Sequence, residues 1–289
     1  MLHSPFAFFR GAAEVMAFDL ARTPVTGIRV QACGDAHLLN FGGFATPERH
    51  LVFDVNDFDE TLPAPWEWDL KRLTASLAVA ARGLKLAKAR ATEAVLAAAG
   101  AYRAAMASYA PMGAVERWYQ RIDASQVPEL HLALRTAEAP AHPVTAHLFP
   151  KFTDAIGAER RIRDEPPLVY HPRKNDRMVD YLRQFLVRYR QTLLEDRRRL
   201  LDRYQLVDVV LKVVGVGSVG RHCYVALLMA GEHDALFLQA KEAAASVLEP
   251  YAGRSRHANH GQRVVEGQRL MQSASDIFLG WSSIRALGR

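Results

Sequence analysis

The chain has 289 residues, of which 49% are hydrophobic and 24% charged, and its formal net charge is +6 with a pI near 9.4. This composition is typical of a globular protein with one large domain or two smaller ones. It excludes a membrane span, which needs about 18 consecutive apolar residues. It also excludes a disulfide framework, because Cys33 and Cys223 are the two cysteines. Residues 1–10 lack the features of a secretion signal, so we expect a cytoplasmic protein.

The positive charge is scattered along the chain. Its densest run, residues 197–199, lies among Glu195, Asp196 and Asp202, which favours a solvated helix face over a nucleic-acid patch. A mildly basic protein also suits an anionic substrate such as a nucleotide. We therefore expect no nucleic-acid partner.

The first two thirds of the chain predict a mostly helical region with short strands. Residues 4–22 have apolar side chains at helical spacing, and Ser4 and Pro5 supply a cap and a first-turn proline. Strands are predicted at 28–33 and 49–55. The remaining predictions are helices over 66–83, 85–109 and 179–204, with loops and short helices over 111–175.

The last third predicts a small antiparallel sheet. The β-prone runs 207–214, 222–230 and 235–240 are separated by a glycine-rich segment and by a turn. A helix is predicted over 262–275. We therefore expect an α+β protein with a helical lobe over 1–205 and a β-rich nucleotide lobe over 206–289.

Asp35 and Asn40 lie five positions apart in a loop after the first predicted strand. In phosphoryl transfer a carboxylate accepts the proton of the attacking hydroxyl, and a nearby amide oxygen binds a metal ion. Asp35 is therefore the candidate catalytic base and Asn40 a candidate metal ligand. His37 lies between them, and we interpret it as a packed loop histidine, with a metal or phosphate contact as the alternative.

A second acidic segment follows the strand predicted at 49–55. Asp57 and Asp59 are candidate metal ligands, with Asp54 in reserve, because the four acidic residues within 54–60 repel one another unless a cation lies among them. A solvated acidic turn is the alternative. The two segments predict one half of a magnesium-dependent phosphoryl-transfer site.

A glycine-rich segment separates the first two strands of the predicted sheet. Its G-x-G-x-x-G pattern occurs in dinucleotide-binding folds and in kinase phosphate loops. A dinucleotide-binding loop opens into a helix, whereas residues 222–230 are β-prone, so an oxidoreductase is disfavoured and an ATP-binding loop favoured. The candidate nucleotide-binding residues are Gly215, Gly217, Ser218 and Gly220.

Lys241 ends the third predicted strand, where a kinase has the lysine that binds the nucleotide phosphates. A surface lysine is the alternative. Glu266 on the next predicted helix is its candidate ion-pair partner, and Glu242 and Glu249 are alternatives. Kinases carry the glycine loop and lysine before the catalytic Asp and Asn. A single site built from all these segments would therefore be a circular permutation of that plan.

Several longer segments resemble a bacterial family called domain of unknown function 2252. That family's Gly-Asp-x-His-x-x-Asn segment is similar to the catalytic loop of aminoglycoside-phosphotransferase-like kinases, and Cys33 stands where those kinases usually have His. The resemblance implies a base at Asp35, metal ligands at Asn40 and Asp57, and a phosphate lysine at Lys241. The segments that carry it are 4–11, 33–42, 53–61, 66–73, 214–220, 238–243 and 262–272.

The resemblance also implies truncation at the C-terminus, because family members usually continue beyond the segment at 279–281. The expected function is transfer of a phosphoryl group from ATP, with magnesium, to a hydroxyl of an acceptor, on a two-lobe, kinase-like fold in permuted order. Two alternatives stay open: a nucleotide-binding pseudokinase, which the replaced His and short tail favour, and a non-catalytic interaction protein.

Overall fold

A computed structural model describes residues 4–127, 152–156, 159–171, 178–213, 221–232 and 234–283. The described part is a mixed α+β structure with several small antiparallel sheets, as the sequence predicted. Contacts divide the chain into two compact units, Met1–Ala133 with Ala244–Asp276 and Leu134–Ala243 with Ile277–Arg289. None of the helices in the described ranges is long and apolar enough to cross a membrane.

Two short helices open the first unit: α1 (Pro5–Arg10) and α2 (Ala13–Leu20). The Ser4 hydroxyl caps α1 by accepting a hydrogen bond from the Ala7 N–H at 3.0 Å, as its position predicted. The prediction of one helix over 4–22 is wrong. The helix ends at Arg10 and is followed by Gly11 as its C-cap, and glycine is a residue that helices tolerate poorly in their interior.

Five strands of the first unit form two small sheets. They are β1 (Arg29–Ala32), paired with β4 (Leu62–Pro65), and β2 (Phe41–Ala45), paired with β3 (Leu51–Val55), which also pairs with β5 (Ile122–Asp123). The sequence predicted β1 and β3. It missed β2 and β4 because glycines and prolines, which are depleted in strands, occupy them.

Helices α3 (Glu67–Gly83), α4 (Lys88–Tyr109) and α5 (Ala114–Trp118) follow the strands. Helix α3 packs against α1, α2 and α4. Acidic residues occupy its first turn, where they interact favourably with the helix dipole. The helices predicted over 66–83 and 85–109 are confirmed.

The second unit contains a four-stranded antiparallel sheet in the order β11–β10–β9–β8. Two helices, α6 (Met178–Tyr189) and α7 (Glu195–Leu201), replace the single helix predicted over 179–204. Leu182 and Leu201 of these helices pack with Val209 and Leu228 of the sheet in one core. The elements are the hairpin β6 (Thr153–Ile156) and β7 (Glu159–Ile162), then β8 (Val169–Tyr170), α6 (Met178–Tyr189), α7 (Glu195–Leu201), β9 (Gln205–Lys212), β10 (Cys223–Ala230) and β11 (Asp234–Lys241).

The antiparallel arrangement of β9, β10 and β11 is confirmed. Strands β9 and β10 are antiparallel neighbours, whereas a dinucleotide-binding unit follows its glycine loop with a helix and a parallel strand. This excludes the dinucleotide-binding arrangement. The glycines themselves, within 214–220, lie outside the described residues.

Helices α8 (Glu249–Ala252) and α9 (His260–Met271) belong to the first unit, whereas the sequence predicts them within the β-rich lobe over 206–289. Helix α8 contacts β4 and α9 contacts β1. Leu248 lies in the same core as Leu62 and Trp68. Burial of these apolar side chains therefore draws a late stretch of sequence into a core that begins near the N-terminus.

Candidate functional site

Two loops of the first unit run side by side because of how its strands pair. Residues 33–40 lead from β1 to β2 and residues 56–61 lead from β3 to β4, while β1 pairs with β4 and β2 with β3. The Asn56 N–H donates to the Asn40 carbonyl at 3.0 Å. This pairing brings the two predicted acidic segments into one site.

The Asp35 carboxylate is largely buried, with 17% of its side chain exposed. Its Oδ1 accepts a hydrogen bond from Arg72 Nε at 2.5 Å, and its Oδ2 lies 3.9 Å from His37 Nε2. Burial raises the pKa of Asp35 to about 7 against the opposing effect of Arg72, and the charges of Asp57 and Glu60 add to the rise. A carboxyl group that titrates near neutral pH is suited to general base catalysis.

Asn40 is buried and oriented by its own loop. Its Nδ2 donates to the Asp35 backbone carbonyl at 2.9 Å. Because this bond uses the amide nitrogen, Oδ1 remains as the acceptor, which is the atom by which an amide binds a hard cation. The loop therefore supplies a carboxylate and an amide oxygen in fixed positions.

His37 is a packed loop histidine, as the sequence predicted. It is 3% exposed, its Nδ1 accepts a hydrogen bond from the Leu39 N–H at 3.2 Å, and its ring meets Phe6 edge-on. Burial lowers the pKa of His37 to about 4, and the charges of Arg72 and Arg10 lower it further. The imidazole is therefore neutral at neutral pH.

The second loop carries the other candidate metal ligands. The Asp57 carboxylate accepts a hydrogen bond from the Asp59 N–H at 3.2 Å. The reserve candidate Asp54 lies in β3, before this loop, and accepts one from the Ser273 N–H at 2.9 Å. Across the described residues, no three His, Cys, Asp or Glu side chains are grouped to hold a metal ion. Asn40, Asp57 and Asp59 carry oxygen atoms of the type that Mg²⁺ prefers, and Mg²⁺ in nucleotide sites takes one or two carboxylates and completes its shell with phosphates and water.

Two α3 residues that no sequence pattern had singled out hold the first loop. Arg72 is 1% exposed and binds Asp35. Asp69, one turn earlier, accepts hydrogen bonds from the N–H groups of Cys33 at 2.7 Å and Gly34 at 3.0 Å. The available signal was their i, i+3 spacing, which puts two charged residues on one face of an otherwise core-forming helix.

Helix α9 holds the second loop. Arg263 is 2% exposed and donates to the backbone carbonyls of Asp59 at 2.8 Å and Thr61 at 2.6 Å. Glu60 accepts a hydrogen bond from the Val247 N–H at 2.7 Å. Residues 244–271 therefore position the acidic loop, a role that no local sequence pattern indicated.

The candidate nucleotide-binding residues are distributed over both units. Lys241 is exposed at the end of β11, opposite Cys223 of β10. Glu266 is on α9 in the first unit, 3.4 Å from Arg269. Glu242 and Glu249 are the alternatives to Glu266 as the predicted partner of Lys241. Glu242 pairs with His222 at 2.9 Å, and Glu249 is the first residue of α8. Gly215, Gly217, Ser218 and Gly220 lie outside the described residues.

Comparison with known proteins gives one finding. A family model described as "Uncharacterized protein conserved in bacteria (DUF2252)" matches residues 1–288. No curated protein and no solved structure matches the chain. Since the match includes both acidic loops and the helices that hold them, the chain belongs to the DUF2252 family of bacterial proteins.

Proposed function

We propose that this chain is a phosphotransferase that uses ATP and Mg²⁺ to phosphorylate a hydroxyl group of an acceptor. One observation carries the proposal: Asp35, with its raised pKa, and Asn40 are tied together in one loop, beside the loop that holds Asp57. Phosphoryl transfer needs a carboxylate for the hydroxyl proton and oxygen ligands for a cation. Positioning and charge neutralisation would account for most of the rate enhancement.

Asp35 would act through Oδ2, because Oδ1 is bonded to Arg72. The proton of the acceptor hydroxyl would pass to Oδ2 of Asp35. At the same time the hydroxyl oxygen would bond to the γ-phosphorus of ATP, and the bond from that phosphorus to the ADP oxygen would break. Mg²⁺ held by Asn40, Asp57 and Asp59 would neutralise charge on the phosphates. A pKa of about 7 leaves a substantial share of Asp35 ionised at neutral pH, which suits a base.

For the whole molecule we infer a two-lobe, kinase-like plan in permuted order. Its support is the order strand, glycine-rich segment, strand, turn and strand over β9, β10 and β11, with Lys241 at the end. Kinase nucleotide lobes have the same order. In this proposal residues 215–220 and Lys241 bind the phosphates of ATP.

The variant Asp35→Asn tests the base. It keeps an acceptor for Arg72 but removes proton uptake, so we expect turnover to fall by about 100-fold or more while ATP affinity is retained. ADP release with a panel of hydroxyl compounds and calorimetric ATP binding measure the two effects. Asp123→Asn is the matched control, since Asp123 is a surface carboxylate of the same unit that pairs with Arg121 and lies outside the candidate site. Full turnover in folded Asp35→Asn removes Asp35 from this role.

The variant Lys241→Ala tests the nucleotide site. Loss of a hydrogen bond to a charged phosphate is expected to weaken ATP binding by about tenfold or more. Lys212→Ala is the control, because Lys212 is another exposed strand-end lysine in the same sheet. Calorimetric titration with Mg-ATP gives both affinities. Equal affinities for the two variants would contradict the role of Lys241.

A nucleotide-binding pseudokinase is the second candidate function. The hydrogen bond of 2.5 Å from Arg72 Nε to Asp35 Oδ1 favours it, because a guanidinium partner makes a carboxylate a weaker base. This candidate predicts ATP binding without turnover in the unmodified chain. A purely non-catalytic interaction protein predicts neither ATP binding nor turnover.

A further inference from the structure

Two guanidinium groups whose charges act on His37 have buried nitrogens without a partner among the described residues. Arg72 is 1% exposed, and its Nη1 has no acceptor among the described residues. The Nε of Arg10 is also buried, and it too has no acceptor among the residues that the structure describes. Arg10 also makes no ion pair with any described carboxylate. Buried donors of this kind are costly to leave unbonded, most of all when they are charged.

The two guanidiniums belong to one small region. Arg72 Nη2 donates to the Phe9 carbonyl at 3.0 Å, and the guanidinium carbon lies 4.5 Å from the centre of the Phe9 ring. Arg10 is the next residue along α1. The charges of both arginines act on His37 and lower its pKa, so both guanidiniums lie within electrostatic range of the same imidazole.

His37 adds a third donor. Because its Nδ1 accepts a hydrogen bond from the Leu39 N–H, the proton of the neutral ring is on Nε2. That nitrogen lies 3.9 Å from Asp35 Oδ2, too far for a hydrogen bond. The Nε2 proton is therefore available to a ligand at Asp35.

The nearby carboxylates already have N–H partners. Both carboxylate oxygens of Asp69 accept hydrogen bonds from backbone N–H groups. Asp57 accepts a hydrogen bond from the Asp59 N–H, and Asp35 accepts one from Arg72 Nε. None of these bonds satisfies Arg72 Nη1 or Arg10 Nε. An oxyanion with several acceptor oxygens would satisfy both.

We propose that Arg10, Arg72 and His37 form a binding site for the phosphate group of a phosphorylated acceptor, next to Asp35. A phosphate monoester carries close to two negative charges and three acceptor oxygens, which match two guanidiniums and one imidazole N–H. The contacts of these three residues support the site independently of the proposed function. Its assignment to the acceptor rests on the proposed function, in which the glycine-rich segment and Lys241 bind the nucleotide phosphates.

Inorganic phosphate is the first probe. Calorimetric titration at constant ionic strength compares the unmodified chain with Arg10→Gln and Arg90→Gln, each of which removes one positive charge from the first unit. Arg90 is the control because its side chain is 72% exposed and pairs with Glu93. We expect Arg10→Gln to weaken phosphate binding by about tenfold or more and Arg90→Gln to leave it unchanged. Failure of the unmodified chain to bind phosphate, or equal binding by both variants, overturns the site.

Asp35→Asn separates the guanidiniums from the loop fold. It removes a negative charge beside Arg72, so phosphate is expected to bind at least as tightly as in the unmodified chain. A loss as large as that of Arg10→Gln would show that the fold of the loop, and not the arginines, holds the anion, and would overturn the assignment.

A phosphate monoester and ATP distinguish the two sources of the phosphate. We expect Arg10→Gln to weaken glycerol 3-phosphate binding and to leave ATP binding unchanged. Weakened ATP binding with unchanged glycerol 3-phosphate binding would overturn the acceptor assignment. These titrations need no turnover, so a chain that binds phosphate but transfers nothing would contradict the proposed function and leave this site intact.

Discussion

At the scale of single residues, Gly34 is a point of close approach between the two acidic loops. Its φ is +84°, and a Cβ built on it would lie 2.4 Å from the Glu60 carbonyl oxygen. Glycine alone tolerates both the left-handed conformation and the contact. The close approach of the loops therefore requires a residue without a side chain at position 34, and the position of Asp35 depends on that approach.

Gly34→Ala is expected to lower the free energy of unfolding by about 2–5 kcal/mol, through the left-handed conformation and the steric overlap together. Gly27→Ala is the matched control: its φ is +88°, but nothing lies within 4 Å of the added Cβ. It should cost about 1–2 kcal/mol. Urea denaturation measures both, and equal losses would mean that the contact with Glu60 contributes nothing.

Asp35 and His37 make opposite contributions to the pH dependence of stability. Folding raises the pKa of Asp35 from 3.8 to about 7, so between these values the folded state binds more protons and stability falls as pH rises. Folding lowers the pKa of His37 from 6.5 to about 4, so in that window the unfolded state binds more protons and stability rises with pH. The two effects partly cancel in the unmodified chain.

Substituting either residue should expose the contribution of the other. From pH 4 to 6.5, the stability of His37→Asn is expected to fall with pH relative to the unmodified chain, by up to about 1.4 kcal/mol per pH unit. Asn is chosen because its oxygen can replace Nδ1 as the acceptor for Leu39. Asp35→Asn should show the opposite slope. Urea denaturation across this pH range measures both, and curves parallel to that of the unmodified chain would contradict the assignment.

At the scale of elements, α9 holds the loop that carries Asp57. Arg263 donates to two carbonyls of that loop and also to the Ala244 carbonyl at 2.8 Å. Gly267 lies against Thr61, where an added Cβ would approach the hydroxyl to 2.6 Å. The helix and the loop are therefore packed together by both polar and steric contacts.

Arg263→Met keeps much of the side-chain volume but leaves buried carbonyls without donors, so we expect a loss of about 2–5 kcal/mol in unfolding free energy. Arg269→Met on the same helix is the control, since Arg269 is 38% exposed and pairs with Glu266 on the surface. Its loss should stay within about 1 kcal/mol. Similar losses, measured by urea denaturation, would show that the carbonyl contacts do not stabilise the loop.

Elements with strong local periodicity were predictable. The long helices α3 and α4 and the strands β9–β11 follow from spacing and turn residues. The division of residues 4–22 into α1 and α2 was missed because apolar spacing continues through Gly11. Strands β2 and β4 were missed because their partners, and not their own composition, make them strands.

At the scale of the whole molecule, the chain leaves the first unit and later returns to it. Residues 244–276 complete the core and the acidic site of a unit that begins at the N-terminus. Leu248, 1% exposed, is part of that core. The change of composition near residue 206 predicts a domain boundary there. The two units, however, are defined by contacts between segments that lie far apart in the sequence.

The sequence by itself determined the α+β class, the antiparallel sheet around the glycine-rich segment, and Asp35, Asn40 and Asp57 as candidate site residues, because spacing and residue type are local properties. Only the tertiary structure decided that Arg72 and Arg263 are buried and that Asp69 is bonded to the first acidic loop. A charged side chain is buried only where partners satisfy it, and here those partners come from loops and helices far apart in the chain. The pairing of β1 with β4 and of β2 with β3 is equally non-local, and it brings the two acidic loops together.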